Sequence, residues 1–114
     1  MRLDAIAKKN FTGEYWDYTS TQDPTGQVVR EYFKVDDRRF NIVPGEKGTL
    51  YLYCDEQLRY NTEVRNLRDA SGEIVFKDAL SGNPQTAYVG ISEPLFNIYG
   101  SIIGYRHDLS QAVF

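Results

Sequence analysis

Asn66-Leu67-Arg68-Asp69-Ala70-Ser71-Gly72-Glu73-Ile74-Val75-Phe76 sets a turn between two short apolar-bearing segments, and its reading decides the fold. Asp-Ala-Ser-Gly is a clean hairpin signal, with Gly72 able to take the positive φ such a turn demands. Val64 and Leu67 before it and Ile74 and Phe76 after it supply the apolar flanks, so 63–76 is predicted to be an antiparallel hairpin. Breakers recur at Asp23-Pro24-Thr25-Gly26, Pro44-Gly45-Glu46-Lys47-Gly48, Ser81-Gly82-Asn83-Pro84, and then at Gly90, Pro94, Gly100 and Gly104. Turns every 10 to 20 residues or so leave no room for several long helices and match an all-β barrel or sandwich.

The segments between the turns agree. In 28–35, Val29, Phe33 and Val35 fall on one face and Arg30, Tyr32 and Lys34 on the other, a period of two interrupted by Glu31. In 49–54, Leu50, Leu52 and Cys54 alternate with Tyr51 and Tyr53, the pattern of a central strand covered on both faces. Further strands are predicted at 15–19, 39–43, 63–68, 73–76, 87–91 and 102–106, where β-branched and aromatic residues dominate. Helix is expected only at 3–7 and, as a single turn, over 55–60, with Leu50, Leu52, Ile74 and Phe76 in the core. The fold class is therefore all-β: a small single-domain β-barrel or sandwich over residues 1–114, with long loops and little helix, and with 1–10 and 110–114 as interface-forming terminal arms.

The chain has 114 residues with 16 acidic and 13 basic side chains, and its net charge of −3 gives no footprint for nucleic-acid binding. This length suits one core rather than two domains. The longest nearly apolar run, Leu95 to Ile103, is far shorter than the roughly 20 residues a membrane helix needs. No apolar stretch follows Met1, so no secretory signal is expected, and a lone Cys54 fits a reducing compartment.

Chemistry is hard to assemble from these residues. A nucleophilic triad needs a His, and the one His, His107, sits beside Asp108, which on a strand would point to the opposite face; His107 is expected at the surface. Cys54 lies in the most apolar segment and reads as a small buried hydrophobe. Structural zinc wants four Cys or His ligands where the chain has two, and Asp36, Asp37 and Asp55 lack the spacing of a calcium loop. Glu14, Asp17, Asp55 and Glu56 offer carboxylates near tyrosines, but nothing singles out a glycosidase pair. No enzyme activity, cofactor or metal is expected. The excess is aromatic: nine Tyr, six Phe and one Trp, including Tyr15, Trp16 and Tyr18 within four positions. Such side chains are enriched at protein interfaces and on sugar-binding platforms.

At Tyr15-Trp16-Asp17-Tyr18-Thr19-Ser20-Thr21-Gln22-Asp23-Pro24-Thr25-Gly26-Gln27-Val28-Val29-Arg30 the chain resembles the head-closure, or stopper, proteins of the head-to-tail connector of tailed bacteriophages. In that family an aromatic and polar strand near the N-terminus runs into an Asp-x-x-Gly turn and a returning strand; here Asp23, Pro24, Thr25 and Gly26 are that turn. The resemblance implies a virion protein made in the host cytoplasm and sited in the neck. It implies a homo-oligomeric ring of six or twelve copies between portal-side adaptor and tail, helping to retain packaged DNA. Tyr15, Trp16, Tyr18, the turn 23–26, Val113 and Phe114 are then the expected interface residues. A departure is the absence of an Arg or Lys cluster that would track DNA, so any DNA in the lumen is expected to pass without sequence-specific contact. Two other readings fit the same residues: another small tail component, such as a tail terminator or baseplate β-domain, and a monomeric carbohydrate-binding module stacking sugars on Tyr15, Trp16 and Tyr18. A regulator that occupies a partner's surface is a third.

Overall fold

The computed structural model describes residues 10–45 and 49–111. Six strands form β1 (Phe11–Gln22), β2 (Val28–Pro44), β3 (Leu50–Cys54), β4 (Glu63–Arg68), β5 (Ala87–Phe96) and β6 (Ile102–Gln111), and no helix occurs among the described residues. They close into a barrel in the order β1-β2-β3-β6-β5-β4, with every neighbouring pair antiparallel. Within the barrel, closure pairs each strand on both sides and removes the edges that would otherwise template association there.

Inward residues of all six strands meet in one core of Tyr15, Phe40, Ile42, Leu52, Val64, Leu67, Ala87, Val89 and Leu109, capped by Leu58 from a connection. Gly13 lets β1 pass close over this core, where a Cβ would sit 3.2 Å from Val64 Cγ1 and 3.3 Å from the Phe40 ring.

Alternating strand direction places the β1–β2 turn, the β3–β4 crossing (55–62) and the β5–β6 turn at one end of the barrel. The start of β1, the end of β6, the β2–β3 turn and the long β4–β5 connection lie at the other. β1–β2 and β5–β6 occupy opposite walls, separated by β3 on one side and β4 on the other.

Several expectations are corrected. The segments predicted at 28–35 and 39–43 are one 17-residue strand, because Asp36 and Asp37 stay in the ladder opposite Tyr15 and Glu14. The break in the pattern is absorbed by a bulge between Tyr15 and Trp16. The turn at 69–72 reverses the chain as predicted, but 73–76 is no strand: only Ile74 bridges back to Arg68. The side chains that pack on the core there are Val75 and Phe76, while Ile74 is half-buried. Leu52 is fully buried and Leu50 packs half-buried against the core. The expected helical turn at 55–60 is an irregular crossing over the barrel end. Ser110 and Gln111 are wall, not a free arm, since they pair with Tyr88 and Ala87. The helix expected at 3–7, the arm at 1–9 and Val113 and Phe114 lie outside the described residues.

Candidate functional site

The end of the barrel that carries the two tips is the part of the molecule with surface to spare. β1 pairs with β4 only as far as Trp16, and β2 pairs with β3 only from Asn41 on. Between them, residues 17–22 and 28–33 pair only with each other and stand out as a two-stranded arm, which at about 3.3 Å per residue is about 20 Å long. A shorter arm is made by Leu95 and Phe96 with Ile102 to Gly104. The radius of gyration, 15.3 Å, exceeds the roughly 13 Å of a compact chain of this length, as projecting arms require.

Both tips are stiff, for the same reason. Asp23 Oδ1 accepts from the Thr25 N–H at 3.0 Å, the Thr25 hydroxyl at 2.6 Å and the Gln27 N–H at 2.9 Å, while Gly26 takes φ of 84°. The Thr25 hydroxyl first, then the Gln27 amide, hold the Asp23 carboxyl below its ordinary range. Asn97 repeats the device, its Oδ1 accepting from the N–H groups of Tyr99 and Ser101 at 2.9 and 3.1 Å, with Gly100 at φ 81°. Asp69, Ser71, Glu73 and Gly72 form a third copy.

The two faces of the long arm differ. On one, Tyr18 and Tyr32 are paired across the strands with ring centroids 5.4 Å apart, and their hydroxyls donate to the carbonyl oxygens of Tyr60 and Asn61 at 2.9 and 3.0 Å. Arg59 of the same crossing donates to Asp17 and to the Tyr18 carbonyl, both at 2.9 Å, and lies 4.3 Å from the Tyr18 ring centroid. On the other face, Phe33 and Val29 stand 46% and 40% exposed among Thr19, Thr21 and Glu31.

The crossing is itself fastened by His107. This residue is fully buried on β6, contrary to the surface position expected; its Nε2 accepts from the Leu58 N–H at 2.9 Å and its Nδ1 lies 3.2 Å from the Leu52 carbonyl oxygen. Those partners define the neutral tautomer protonated at Nδ1, and burial holds the ring's pKa below the usual histidine value. Asp108 points the other way and is exposed, so the two form no catalytic pair.

The aromatic segment is split by the pleat. Tyr15 is in the core, not on a surface, so Tyr15, Trp16 and Tyr18 make no continuous platform. Trp16 faces outward with the Arg65 guanidinium 3.7 Å from its ring centroid and its Nε1 donating to Glu14 at 3.1 Å. Arg65 in turn pairs with buried Glu63 at 2.6 Å. Stacking on Tyr or Trp engages Arg30, Arg38, Arg59, Arg65 and Arg106, so these guanidiniums cover aromatic rings instead of forming one basic track. Of the acids considered for a cation site, Asp36 pairs with Arg38, which also holds Glu56, and Asp37 pairs with Lys34, while Asp55 lies exposed at the start of the crossing. Among the described residues no group of three or more His, Cys, Asp and Glu gathers as a metal site.

The feature that sequence reasoning missed is the short arm. Phe96, Ile98, Tyr99 and Ile102 are 57%, 91%, 84% and 52% exposed. The signal is present as Asn97-Ile98-Tyr99-Gly100, with the Asx and Gly spacing of Asp23-Pro24-Thr25-Gly26. Comparison of the chain with protein-family models, curated proteins and solved structures finds no match.

Proposed function

We propose that this chain is a non-catalytic structural protein of a tailed-phage neck, a ring-forming connector subunit that joins portal or adaptor to tail and helps retain packaged DNA. The observation that carries the reading is the pair of stiff arms rising at one end of a closed barrel from opposite walls, each with uncovered apolar side chains. A ring needs two different patches on each subunit, a demand that a small domain meets by extending its surface. Val28, Val29 and Phe33 on the long arm, with Phe96, Ile98, Tyr99 and Ile102 on the short one, expose more apolar surface than a monomeric domain needs to leave in water. Adaptor and tail proteins are the neighbours in this reading, and DNA in the lumen meets a net-acidic ring that repels phosphate. Two measurements test it. Native mass spectrometry is expected to show a closed oligomer, and deletion of the gene from a phage genome encoding it is expected to leave heads that fail to hold DNA or join tails. A monomer at every concentration, or normal particles after deletion, overturns the reading.

A cleft of about 530 Å³ lined by Val28, Arg30, Tyr32, Asn61 and Tyr88 favours a second reading, a carbohydrate-binding module using Tyr32 and Tyr88. Titration with a panel of oligosaccharides tests it: a sugar-dependent shift of Tyr32 and Tyr88 resonances in a monomeric protein would displace the ring.

A further inference from the structure

We infer that the tip of the short arm docks on the open face of the long arm of a second copy. Phe96, Ile98, Tyr99 and Ile102 of one chain cover Val29 and Phe33 of the next. The inference rests on the ring reading and names the contact that closes the ring.

The tip is chemically uniform. From Pro94 to Tyr105, twelve residues run without a single Asp, Glu, Lys or Arg, in a chain where one residue in four is charged. Its four large side chains are more than half exposed, and exposed apolar area of that kind marks an interaction site. Aromatic side chains bury roughly 150–250 Å² each, so Phe96 and Tyr99 with two isoleucines leave on the order of 500 Å² uncovered, more than half of the roughly 800 Å² each partner contributes to a stable interface. The Asn97 turn holds the tip in one shape, so docking costs little conformational entropy.

The receiving face is fixed by the cross-strand register. Asp17 lies opposite Phe33, Thr19 opposite Glu31 and Thr21 opposite Val29. Thr19 and Thr21 are short, so on this face of the ribbon, called the trough below, Phe33 and Val29 are the large apolar side chains, on either side of exposed Glu31. The opposite face is tied to the crossing through the Tyr18 and Tyr32 hydroxyls and keeps only the cleft at Val28, Arg30 and Tyr32, whereas on this face Val29 and Phe33 stand exposed beyond the Asp17–Arg59 pair at its base. A chain cannot serve its own tip, because its long arm rises from the opposite wall. Tip and trough are different surfaces, so a contact made in one direction leaves a free trough on one copy and a free tip on the other; it repeats head-to-tail and gives a ring where the rotation between neighbours closes. Contact between two tips would give only a dimer and leave Phe33 in water.

Two variants test this, Ile98→Asp on the tip and Phe33→Asp in the trough. Both positions are exposed, so each variant should keep the far-ultraviolet spectrum of the wild type. Each alone is expected to run at the mass of one chain, 13.1 kDa, under conditions where the wild type assembles. An equimolar mixture is expected to recover a heterodimer of twice that mass and nothing larger, because the intact tip of the Phe33→Asp chain meets the intact trough of the Ile98→Asp chain. If both variants assemble like the wild type, the docking assignment falls and the ring reading stands. Loss of assembly in Ile98→Asp with Phe33→Asp unaffected overturns the assignment in favour of tip-to-tip contact. A monomeric wild type overturns both this contact and the ring, and tip-dependent binding of that monomer to phospholipid vesicles would assign the tip to a bilayer.

Discussion

The turns at 23–27 and 69–73 share one hydrogen-bonding scheme, an Asp carboxylate accepting from the hydroxyl and N–H two residues on and the N–H four residues on, with glycine at φ of 84° or 88°. The first opens into strands of 12 and 17 residues, the second into a single bridge between Arg68 and Ile74. The difference lies in the residues beyond the glycine. After Gln27, the cross-strand pairs Ser20 with Arg30, Tyr18 with Tyr32 and Trp16 with Lys34 keep large or polar side chains on one face of a ribbon. After Glu73 come three consecutive apolar residues, and an exposed ribbon cannot bury consecutive residues on one face. Val75 and Phe76 both turn to the core and the backbone leaves the ladder. Asx-Gly chemistry reverses a chain; the side chains on either side of it decide whether the reversal becomes an arm or a strap on the core.

Breaking the comparison at its largest contrast means truncating one apolar residue beside each turn. Leu67→Ala, fully buried next to the strap, is expected to cost about 2–5 kcal/mol, whereas Phe33→Ala on the arm should change unfolding stability by less than about 0.5 kcal/mol. Urea midpoints, taken at a dilution where every variant and the wild type are monomeric, check both, and equal losses would show that the arm is part of the core.

A second contrast is in pH. The arm is tied to the barrel through the crossing that His107 fastens, and the strap is not. The native pKa of His107 is lowered, so below about pH 6.5 the unfolded chain binds more protons than the folded one and stability falls as pH drops; above that value it is level. The amides of Leu58 and Asn61 should exchange faster at pH 5 than intrinsic rates explain, while those of Gly72 and Val75 do not. A pH-independent unfolding midpoint between 7 and 5 would show that protonation of His107 is not linked to folding.

Smaller effects come from the turns. Gly72→Ala places a side chain at positive φ and is expected to cost about 1–2 kcal/mol in global stability, while Gly26→Ala should disturb the arm locally and leave the global midpoint nearly unchanged. The smallest is Asp69→Ala against Asp23→Ala. Hydrogen bonds from Ser71 and Thr25 respectively lower both carboxyls, so both turns loosen as pH falls below about 4 through the lowered native values. Only the Asp69 variant is expected to lower the unfolding midpoint; the Asp23 variant should instead speed exchange at Thr25 and Gln27.

The fold class is legible because breakers and period-two segments act locally: β4 runs over 63–68 as read, and Asp23 to Gly26 is a hairpin turn. Strand lengths are not, because β2 continues through Asp36-Asp37-Arg38 as the ladder partner of Tyr15, Glu14 and Gly13 on β1, a register that neither segment states alone. The burial of His107 is hidden because the groups that satisfy its two ring nitrogens, the Leu58 amide and the Leu52 carbonyl, are 49 and 55 residues distant. Tyr15 is a different case: adjacent strand residues face opposite ways, so its separation from Trp16 is readable from the pleat alone. The turn of the short arm is written in Asn97-Ile98-Tyr99-Gly100, but the exposure of Ile98 and Tyr99 is not, because it is a property of a hairpin that outruns its neighbours, and no local pattern states how far those neighbours reach.

The start of β1 and the end of β6 share the barrel end away from both tips, and this sets how the molecule answers a pull. Force applied between Phe11 and Gln111 loads β1 and β6 from the same end, so ladder bonds give way one after another, as in a zipper. Force applied between the long-arm tip and Gln111 runs along the strands, and the transverse bonds of the seams from β2 through β3 to β6 share it in shear. The barrel is therefore mechanically soft when tugged by its ends and stiff along its length, and a single-molecule stretching experiment with paired attachment points at 11, 25 and 111 would record two different rupture forces from one fold.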